Sequence, residues 1–154
     1  MEQLIGLERI VAGRFDVERV AGSGGMGTVY RALDLHTGKT VALKLLHAHT
    51  VGRTETERFI REATLLAELQ HPRIVSYVAH GQTDRGQPFL AMEWLEGEDL
   101  GQRLSRGTLG LSESLTLLRY VADALAVAHR RGIVHRDLKP SNIFLERAEI
   151  EQVK

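Results

Sequence analysis

The chain has 154 residues, of which 43% are hydrophobic, enough for one compact domain with a buried core. Its 20 basic residues balance its 20 acidic residues, so no net charge favours nucleic acid or an anionic membrane as a partner. The lack of cysteine excludes a disulfide framework and a thiolate zinc site, and it fits a reducing compartment such as the cytoplasm. No segment approaches the roughly 18 apolar residues of a membrane span, although a longer protein could be anchored further along.

Three short strands are predicted after a lead segment, residues 1–14, to which no function is assigned. In this lead, Leu4, Leu7 and Val11 have helical spacing. The strands are rich in β-branched or aromatic residues, are separated by glycine-rich or polar turns, and cover 15–21, 29–33 and 40–46. This pattern is typical of an antiparallel meander.

A helix and two further strands follow the meander. The helix is predicted over 54–70, because a capping-box sequence begins at Thr54 and Pro72 follows its end. The two strands cover 74–80 and 88–94, and the hairpin turn between them covers 81–86. We therefore predict a five-stranded antiparallel sheet with one main helix over residues 15–92.

The remainder of the chain is predicted to be a linker and the beginning of a helical region. The linker covers 95–99, and Ser112 is the predicted N-cap of a helix that Gly132 ends. Its apolar positions recur every three or four residues and are Leu115, Leu118, Ala122, Leu125 and Ala128. Sheet and helices in separate segments indicate an α+β fold.

A glycine-rich motif, G-x-G-x-x-G-x-V, ends at Val29. Its first six positions are Gly22, Ser23, Gly24, Gly25, Met26 and Gly27. Missing side chains let backbone N–H groups approach phosphate oxygens closely. The alternative is an ordinary glycine-rich hairpin turn. A dinucleotide-binding motif is disfavoured, because such a motif opens a helix whereas these glycines lead into a strand.

Two charged residues stand in apolar patterns that predict their pairing. Lys44 lies within the apolar strand Val-Ala-Leu-Lys, and Glu62 lies on the apolar stripe of the helix over 54–70. Burying either charge without a partner would be costly, so the two are expected to meet. The alternatives are that Lys44 points to solvent and that Glu62 pairs with a surface cation such as Arg58 or Arg61.

The octet from His135 to Asn142, His-Arg-Asp-Leu-Lys-Pro-Ser-Asn, carries the strongest chemical signal. Asp137 can accept or orient a hydroxyl proton, Lys139 can neutralise charge on a phosphoryl group, and Asn142 can bind magnesium. The alternative is a charged loop at a helix exit. A metal site at His47, His49 and His80 is a weaker hypothesis, because paired histidines at a strand end are more often solvated.

The order of these motifs resembles the protein kinase superfamily, over Phe15 to Lys154. The glycine-rich loop tip resembles bacterial eukaryotic-like kinases, and Lys139 two residues after Asp137 resembles serine/threonine rather than tyrosine kinases. The resemblance implies a protein-kinase-like fold with an N-lobe over 15–92, a hinge over 93–98 and a partial C-lobe over 99–154.

The resemblance also implies a site for ATP and Mg²⁺ and a role for each residue. Residues 22–27 would cover the phosphates, Lys44 would hold the α- and β-phosphates, and Glu62 would hold Lys44. The adenine would contact Val29, Ala42, the gatekeeper Met92, the backbone of Glu93 and Leu95, and Phe144. Asp137 would be the catalytic aspartate, Lys139 would assist it, and Asn142 would bind the metal.

By the same resemblance, the γ-phosphoryl group would go to serine or threonine of a protein substrate. The 154 residues end before the DFG segment, and no aspartate follows Asp137 among them. This chain alone is therefore expected to be inactive. The alternative is a truncated, pseudokinase-like module for nucleotide binding, scaffolding or regulation, and a kinase dimer is left open as a further partner.

Overall fold

The structure, a computed structural model, describes residues 9–25, 27–47 and 53–154. Five side chains within these ranges lie outside the description, those of Arg53, Thr54, Glu55, Arg58 and Glu62. The chain divides into two compact units. One contains the described residues up to Glu68 together with Ser76–Trp94, and the other contains Leu69–Val75 and Leu95–Lys154.

The first unit is built on an antiparallel sheet of six strands in the order β1-β2-β3-β4-β6-β5. The strands are β1 (Ile10–Val11), β2 (Phe15–Ser23), β3 (Gly27–Asp34), β4 (Lys39–Leu46), β5 (Tyr77–Gln82) and β6 (Pro88–Glu93). Five of them match the predicted strands. β5 begins later than predicted, because Ile74 donates its N–H to the carbonyl of His71 in a turn.

The sixth strand, β1, corrects the prediction for the lead segment. Val11 is buried and pairs with Phe15, because positive φ angles at Ala12 and Gly13 turn the chain back after two residues. The helical spacing predicted at Val11 is therefore wrong. Leu4 and Leu7, which share that spacing, lie outside the described residues.

Apolar side chains cover both faces of the sheet. On one face, Phe15 meets Phe89 edge to face at a ring separation of 5.6 Å, and Leu43 is fully buried beside them. The other face is covered by α1 (Arg53–Ala67), the single helix among the described residues of this unit, through Phe59 and Ala63. The prediction of one main helix is thus correct. The helix ends three residues earlier than expected, and the capping side chain of Thr54 lies outside the described ones.

A buried ion pair joins two turns of the sheet. The Nε and Nη2 nitrogens of the Arg14 guanidinium each donate to one carboxylate oxygen of Asp34 at 2.8 Å. Asp34 is fully buried and also accepts hydrogen bonds from the N–H of His36 and the hydroxyl of Thr37. The hydrogen bonds from Arg14 are the main reason that the pKa of Asp34 lies well below its usual range.

The second unit contains the strands β7 (Gly97–Asp99) and β8 (Phe144–Glu146) and the helices α2 (Leu100–Ser105) and α3 (Leu111–Arg130). Strand β7 corrects the predicted linker over 95–99, since Gly97 pairs with Glu146 in an antiparallel ladder, and helix α2, which follows it, was not predicted. The signal for α2 was in the sequence. Asp99 accepts from the N–H of Gln102, whose side chain accepts in turn from the N–H of Asp99.

Helix α3 starts earlier than predicted and ends as predicted. Its N-cap is Gly110, whose N–H donates to the carboxylate of Glu113 at 2.8 Å, so Ser112 lies inside the first turn. At the other end, Gly132 has a φ of 73°, and the N–H of Ile133 reaches back to the carbonyl of Ala128.

The predicted apolar stripe of α3 is mostly exposed. Leu115 and Leu118 keep 59% and 65% of their surface exposed, whereas Leu117 and Ala128 are buried. The buried side of the helix belongs to a core with Leu100, Leu145, Ile150 and Val153. None of the helices within the described ranges is both long and apolar enough to cross a bilayer.

Candidate functional site

The glycine-rich motif forms the hairpin between β2 and β3. Gly22 and Ser23 end β2, Gly27 begins β3, and Met26 lies outside the described residues. The N–H of Gly24 donates to the carbonyl of Gly27 at 2.9 Å, and the hydroxyls of Ser23 and Thr28 lie 3.2 Å apart. Backbone and side-chain hydrogen bonds therefore close the hairpin just below its tip.

The absence of a side chain has different consequences at different glycines of this hairpin. A Cβ on Gly27 would lie 2.3 Å from the carbonyl oxygen of Leu45, so the packing of β3 on β4 itself requires glycine there. A Cβ on Gly22, Gly24 or Gly25 would meet nothing within 4 Å. The packing of the described residues does not require these three glycines, and they leave bare backbone facing open space.

Four predicted nucleotide-binding residues share one face of the sheet. Val29 lies directly opposite Lys44, and Ala42 lies directly opposite Met92. Opposed residues, and residues two apart on a strand, point to the same side of a sheet. The sheet therefore brings Val29, Ala42, Lys44 and Met92 together, and their contacts with a nucleotide remain a prediction.

Lys44 is half-buried on this face, and α1 covers the same face. Glu62 lies in α1 next to Ala63, which is buried against the sheet. The side chain of Glu62 is outside the described ones, so its pairing with Lys44 stays a prediction.

The predicted hinge residues fall in both units. Glu93 ends β6, and its carboxylate accepts a hydrogen bond from the N–H of Ser76 at 2.7 Å. Leu95 opens the long segment of the second unit and is half-buried. The expected contacts of their backbone groups with adenine remain a prediction.

Asp137, Lys139 and Asn142 are drawn together by side-chain hydrogen bonds. The ammonium of Lys139 lies 2.8 Å from the Asp137 carboxylate. The amide of Asn142 donates to the carbonyl of Asp137 at 2.8 Å and to its carboxylate at 3.1 Å. A 3-10 turn over Pro140–Asn142 directs the asparagine back toward the aspartate. The three residues named from sequence thus form one constellation.

The electrostatics of this constellation keep Asp137 ionised. The hydrogen bond from Lys139 is the largest cause that lowers the pKa of Asp137, and the bond from Asn142 acts in the same direction. Because the carboxylate is exposed, water can reach it. Such a group is a weak base in the ground state that can accept a proton as a reaction proceeds.

Two neighbouring residues complete the loop. Arg136 has a φ of 62°, a left-handed conformation that costs energy in a non-glycine residue and is frequent at functional sites. Phe144 begins β8, lies opposite Asp99, and exchanges two 2.8 Å backbone hydrogen bonds with Lys154. No sequence signal reveals the strain at Arg136.

Comparison with known proteins assigns the family. A family model described as the protein kinase domain matches residues 15–154. The chain therefore belongs to the protein kinase domain family, and the predicted protein-kinase-like fold is correct. The kinase domain of Mycobacterium tuberculosis PknI superposes with a TM-score of 0.78 at 35% identity, over 89% of this chain and 56% of that one.

The curated relatives that this chain resembles are named as bacterial serine/threonine-protein kinases. The chain is 41% identical over 140 residues to Myxococcus xanthus pkn2 and 38% identical over 141 residues to M. tuberculosis PknA. These alignments cover 90% and 88% of this chain but only 17% and 33% of the relatives. A structure of Rad53 residues 1–466 in complex with AMP-PNP also superposes, with a TM-score of 0.78 at 32% identity, over 92% of this chain and 37% of that one.

The structure adds a residue that the sequence analysis did not single out. Trp94, directly after Glu93, has the guanidinium groups of Arg19 and Arg31 over its ring, with their carbons 5.5 and 5.7 Å from the ring centroid. The only sequence signal was that Trp94 is the single tryptophan of the chain.

Proposed function

We propose that the protein to which these residues belong transfers the γ-phosphoryl group of Mg-ATP to serine or threonine residues of protein substrates. The observation that carries this proposal is the hydrogen-bonded constellation of Asp137, Lys139 and Asn142. Membership of the kinase family supports the same reaction. The proposal includes an N-lobe over 15–92, a hinge over 93–98 and a partial C-lobe over 99–154.

The first unit fits the phosphates and the base of ATP. Gly22, Gly24 and Gly25 expose backbone where a side chain would otherwise stand, which suits close approach by phosphate oxygens. On the sheet face beyond them, Lys44 supplies a cation for the phosphates. The small Ala42 and apolar Val29 supply a surface for the adenine ring. Glu62, Met92, the backbones of Glu93 and Leu95, and Phe144 keep the roles that the family resemblance implies.

The second unit fits a metal ligand and the reacting groups. Asn142 offers an amide oxygen, a ligand that Mg²⁺ accepts, while its nitrogen is held by Asp137. When bound, Mg²⁺ neutralises phosphate charge. Among residues 138–154 no aspartate offers a second protein ligand. We therefore propose that residues 1–154 tested alone bind nucleotide weakly and transfer no phosphoryl group.

Asp137 orients the substrate and receives its proton. The ionised carboxylate accepts a hydrogen bond from the serine or threonine hydroxyl. The hydroxyl oxygen forms a bond to the γ-phosphorus as the bond from that phosphorus to the β–γ bridging oxygen breaks. The hydroxyl proton passes to Asp137, and ADP keeps the bridging electrons. Lys139, beside the carboxylate, stabilises the negative charge of the transferring group.

The test uses the full-length protein and a protein substrate with many serine and threonine residues. Phosphate from labelled ATP should appear on serine or threonine, and Lys44→Met should weaken ATP binding. Phosphate on tyrosine alone would contradict the proposed substrate class. ATP binding without any transfer would favour the alternative, a nucleotide-binding scaffold or regulator.

A further inference from the structure

Trp94 is the aromatic centre of a charged cluster in the first unit. It follows the last residue of β6, and its half-buried ring lies beneath the guanidinium groups of Arg19 and Arg31. Guanidinium groups within about 6 Å of an indole centroid are attracted by the negative face of the ring. We call Arg19, Arg31 and Trp94 the arginine–tryptophan clasp.

The clasp links three strands of the sheet, β2, β3 and β6, across the intervening β4. Arg19 on β2 lies directly opposite Arg31 on β3, and Arg31 lies opposite Ala42 on β4. Ala42 lies opposite Met92 on β6, two residues before Trp94. Arg31 therefore reaches over β4, and Arg19 over β3 and β4, to the residue that follows β6.

Arg31 is held in place by further contacts. Its guanidinium forms an ion pair with Glu18 and donates to the hydroxyl of Thr40 at 3.3 Å. Fixing the guanidinium by several partners lowers the entropy lost when it stacks on an aromatic ring. Arg31 is therefore the ordered member of the arginine pair, and Arg19 adds a more exposed contact.

The two arginines of the clasp flank the base of the glycine-rich hairpin. Arg19 precedes Gly22 by three residues, and Arg31 follows Gly27 by four. The β2–β3 ladder shifts register twice here, between Val17 and Arg19 and between Val20 and Gly22. Register shifts interrupt the backbone hydrogen bonds and bend a strand. The contacts of Arg19 and Arg31 with Trp94 therefore connect the hairpin to the end of β6 at a place where the β2–β3 backbone hydrogen bonds are interrupted.

From this geometry we propose that the arginine–tryptophan clasp positions the glycine-rich hairpin over the phosphates of ATP. The inference rests on the proposed function, because it assigns the hairpin to nucleotide binding. Arg19, Arg31 and Trp94 act as positioning residues. They fix the root of the hairpin against the strand that leads into the hinge, so the hairpin backbone is pre-organised for the phosphates.

The experiment compares the full-length protein with two variants, Trp94→Leu and the double variant Arg19→Gln/Arg31→Gln. Both should bind ATP about three- to tenfold more weakly in calorimetric titration, the size expected from two partly exposed cation–π contacts. In steady-state assays KM for ATP should rise by the same factor while kcat stays unchanged, because the catalytic aspartate belongs to the other unit.

Two further variants separate positioning from general stability. Trp94→Phe keeps an aromatic face and should restore most of the affinity, even if Trp94→Leu folds poorly. Arg9→Gln removes an exposed ion pair with Asp16 that lies outside the clasp, so its affinity should equal that of the unchanged protein. Labelling with 5-fluorotryptophan should show the ¹⁹F signal of Trp94, assigned with Trp94→Phe, shift in the double-arginine variant.

The outcomes separate this inference from the proposed function. If the unchanged protein binds ATP and both the Trp94→Leu and the double-arginine variants bind it equally well, the clasp has no positioning role. An equal loss in Trp94→Phe and Trp94→Leu would also overturn it. If the unchanged protein does not bind ATP at all, the proposed function fails, and the inference fails with it.

Discussion

The two halves of the candidate machinery are organised in different ways. The hairpin of the first unit is defined by absent side chains, since Gly22, Gly24 and Gly25 leave open space that the described residues do not fill. The candidate catalytic loop of the second unit is defined by side chains that bind one another, since Lys139 and Asn142 both contact Asp137.

This difference indicates which half of the candidate machinery needs its ligand to complete its hydrogen bonds. A hydrogen-bonded constellation is pre-organised before substrate binds. Bare backbone gains its hydrogen-bond partners only from a ligand such as phosphate. We therefore expect substitutions in the catalytic loop to affect the rate of transfer and substitutions in the hairpin to affect nucleotide affinity.

The largest expected effect tests the catalytic side of the comparison. Asp137→Asn should lower kcat for protein phosphorylation by about 10²–10⁴-fold, because the amide cannot take the hydroxyl proton. ATP affinity, measured by calorimetry on the same preparation, should change little. Retention of more than a tenth of the phosphorylation rate would contradict the role given to Asp137.

Breaking the buried pair that anchors the other end of the hairpin strands should have the largest effect on stability. Arg14→Leu leaves Asp34 buried without its cation, which costs about 3–5 kcal/mol of unfolding free energy. The matched control is Arg9→Gln, which removes an exposed ion pair with Asp16 and should cost less than about 1 kcal/mol. Urea unfolding of the two variants measures the difference.

The same pair predicts a pH dependence. The native pKa of Asp34 lies below its unfolded value of about 3.9, so the pair contributes fully above about pH 4. Its contribution is lost progressively as the pH falls from about 4 toward the native pKa. Urea midpoints measured across this range should fall more steeply for the unchanged protein than for Asp34→Asn. Parallel curves would show that the pair is not coupled to folding.

A pair of glycine substitutions sharpens the comparison within the hairpin. Gly27→Ala places a Cβ against the carbonyl of Leu45 and should cost about 1–3 kcal/mol of stability. Gly24→Ala meets no described atom and should leave the melting temperature unchanged while weakening ATP binding. Equal melting temperatures for the two variants would mean that the close approach of β3 to β4 relaxes easily.

The smallest expected effect concerns the helix caps of the second unit. Asp99→Ala removes the cap of α2 and should cost about 1 kcal/mol, as other N-cap losses do. Ser112→Ala should be nearly neutral, because Ser112 lies within the first turn of α3 and Gly110 caps it. Thermal unfolding of both variants tests this assignment. A larger loss for Ser112→Ala would restore the sequence-based prediction.

Patterns local in sequence predicted most of the fold, and they named the candidate site residues whose roles remain predictions. The octet containing Asp137 predicted a loop that carries three polar candidate residues, and the apolar run around Lys44 predicted a strand of the sheet. Features that depend on distant partners or special dihedral angles could not be predicted from local patterns. β1 exists because Ala12 and Gly13 turn the chain, and β7 exists because it finds β8 far along the sequence. Neither the turn at Ala12 and Gly13 nor the pairing of β7 with β8 produces a periodic pattern in the sequence.

Trp94 shows the same limit within the site. Its position after Glu93 was known from the sequence, but the arginines over its ring come from two other strands. Cation–π partners carry no spacing rule across a sheet, so only the register of β2, β3, β4 and β6 reveals them.

Gly97 has a consequence for mutational scanning. It adopts a φ of 151°, and a Cβ there would lie 2.0 Å from the carbonyl oxygen of Leu145. Every replacement should therefore lower the cellular abundance of the protein and its activity together, whereas Asp137→Asn lowers activity at normal abundance. A scan scored only by activity would place Gly97 beside Asp137, and an abundance score would separate architectural from chemical intolerance.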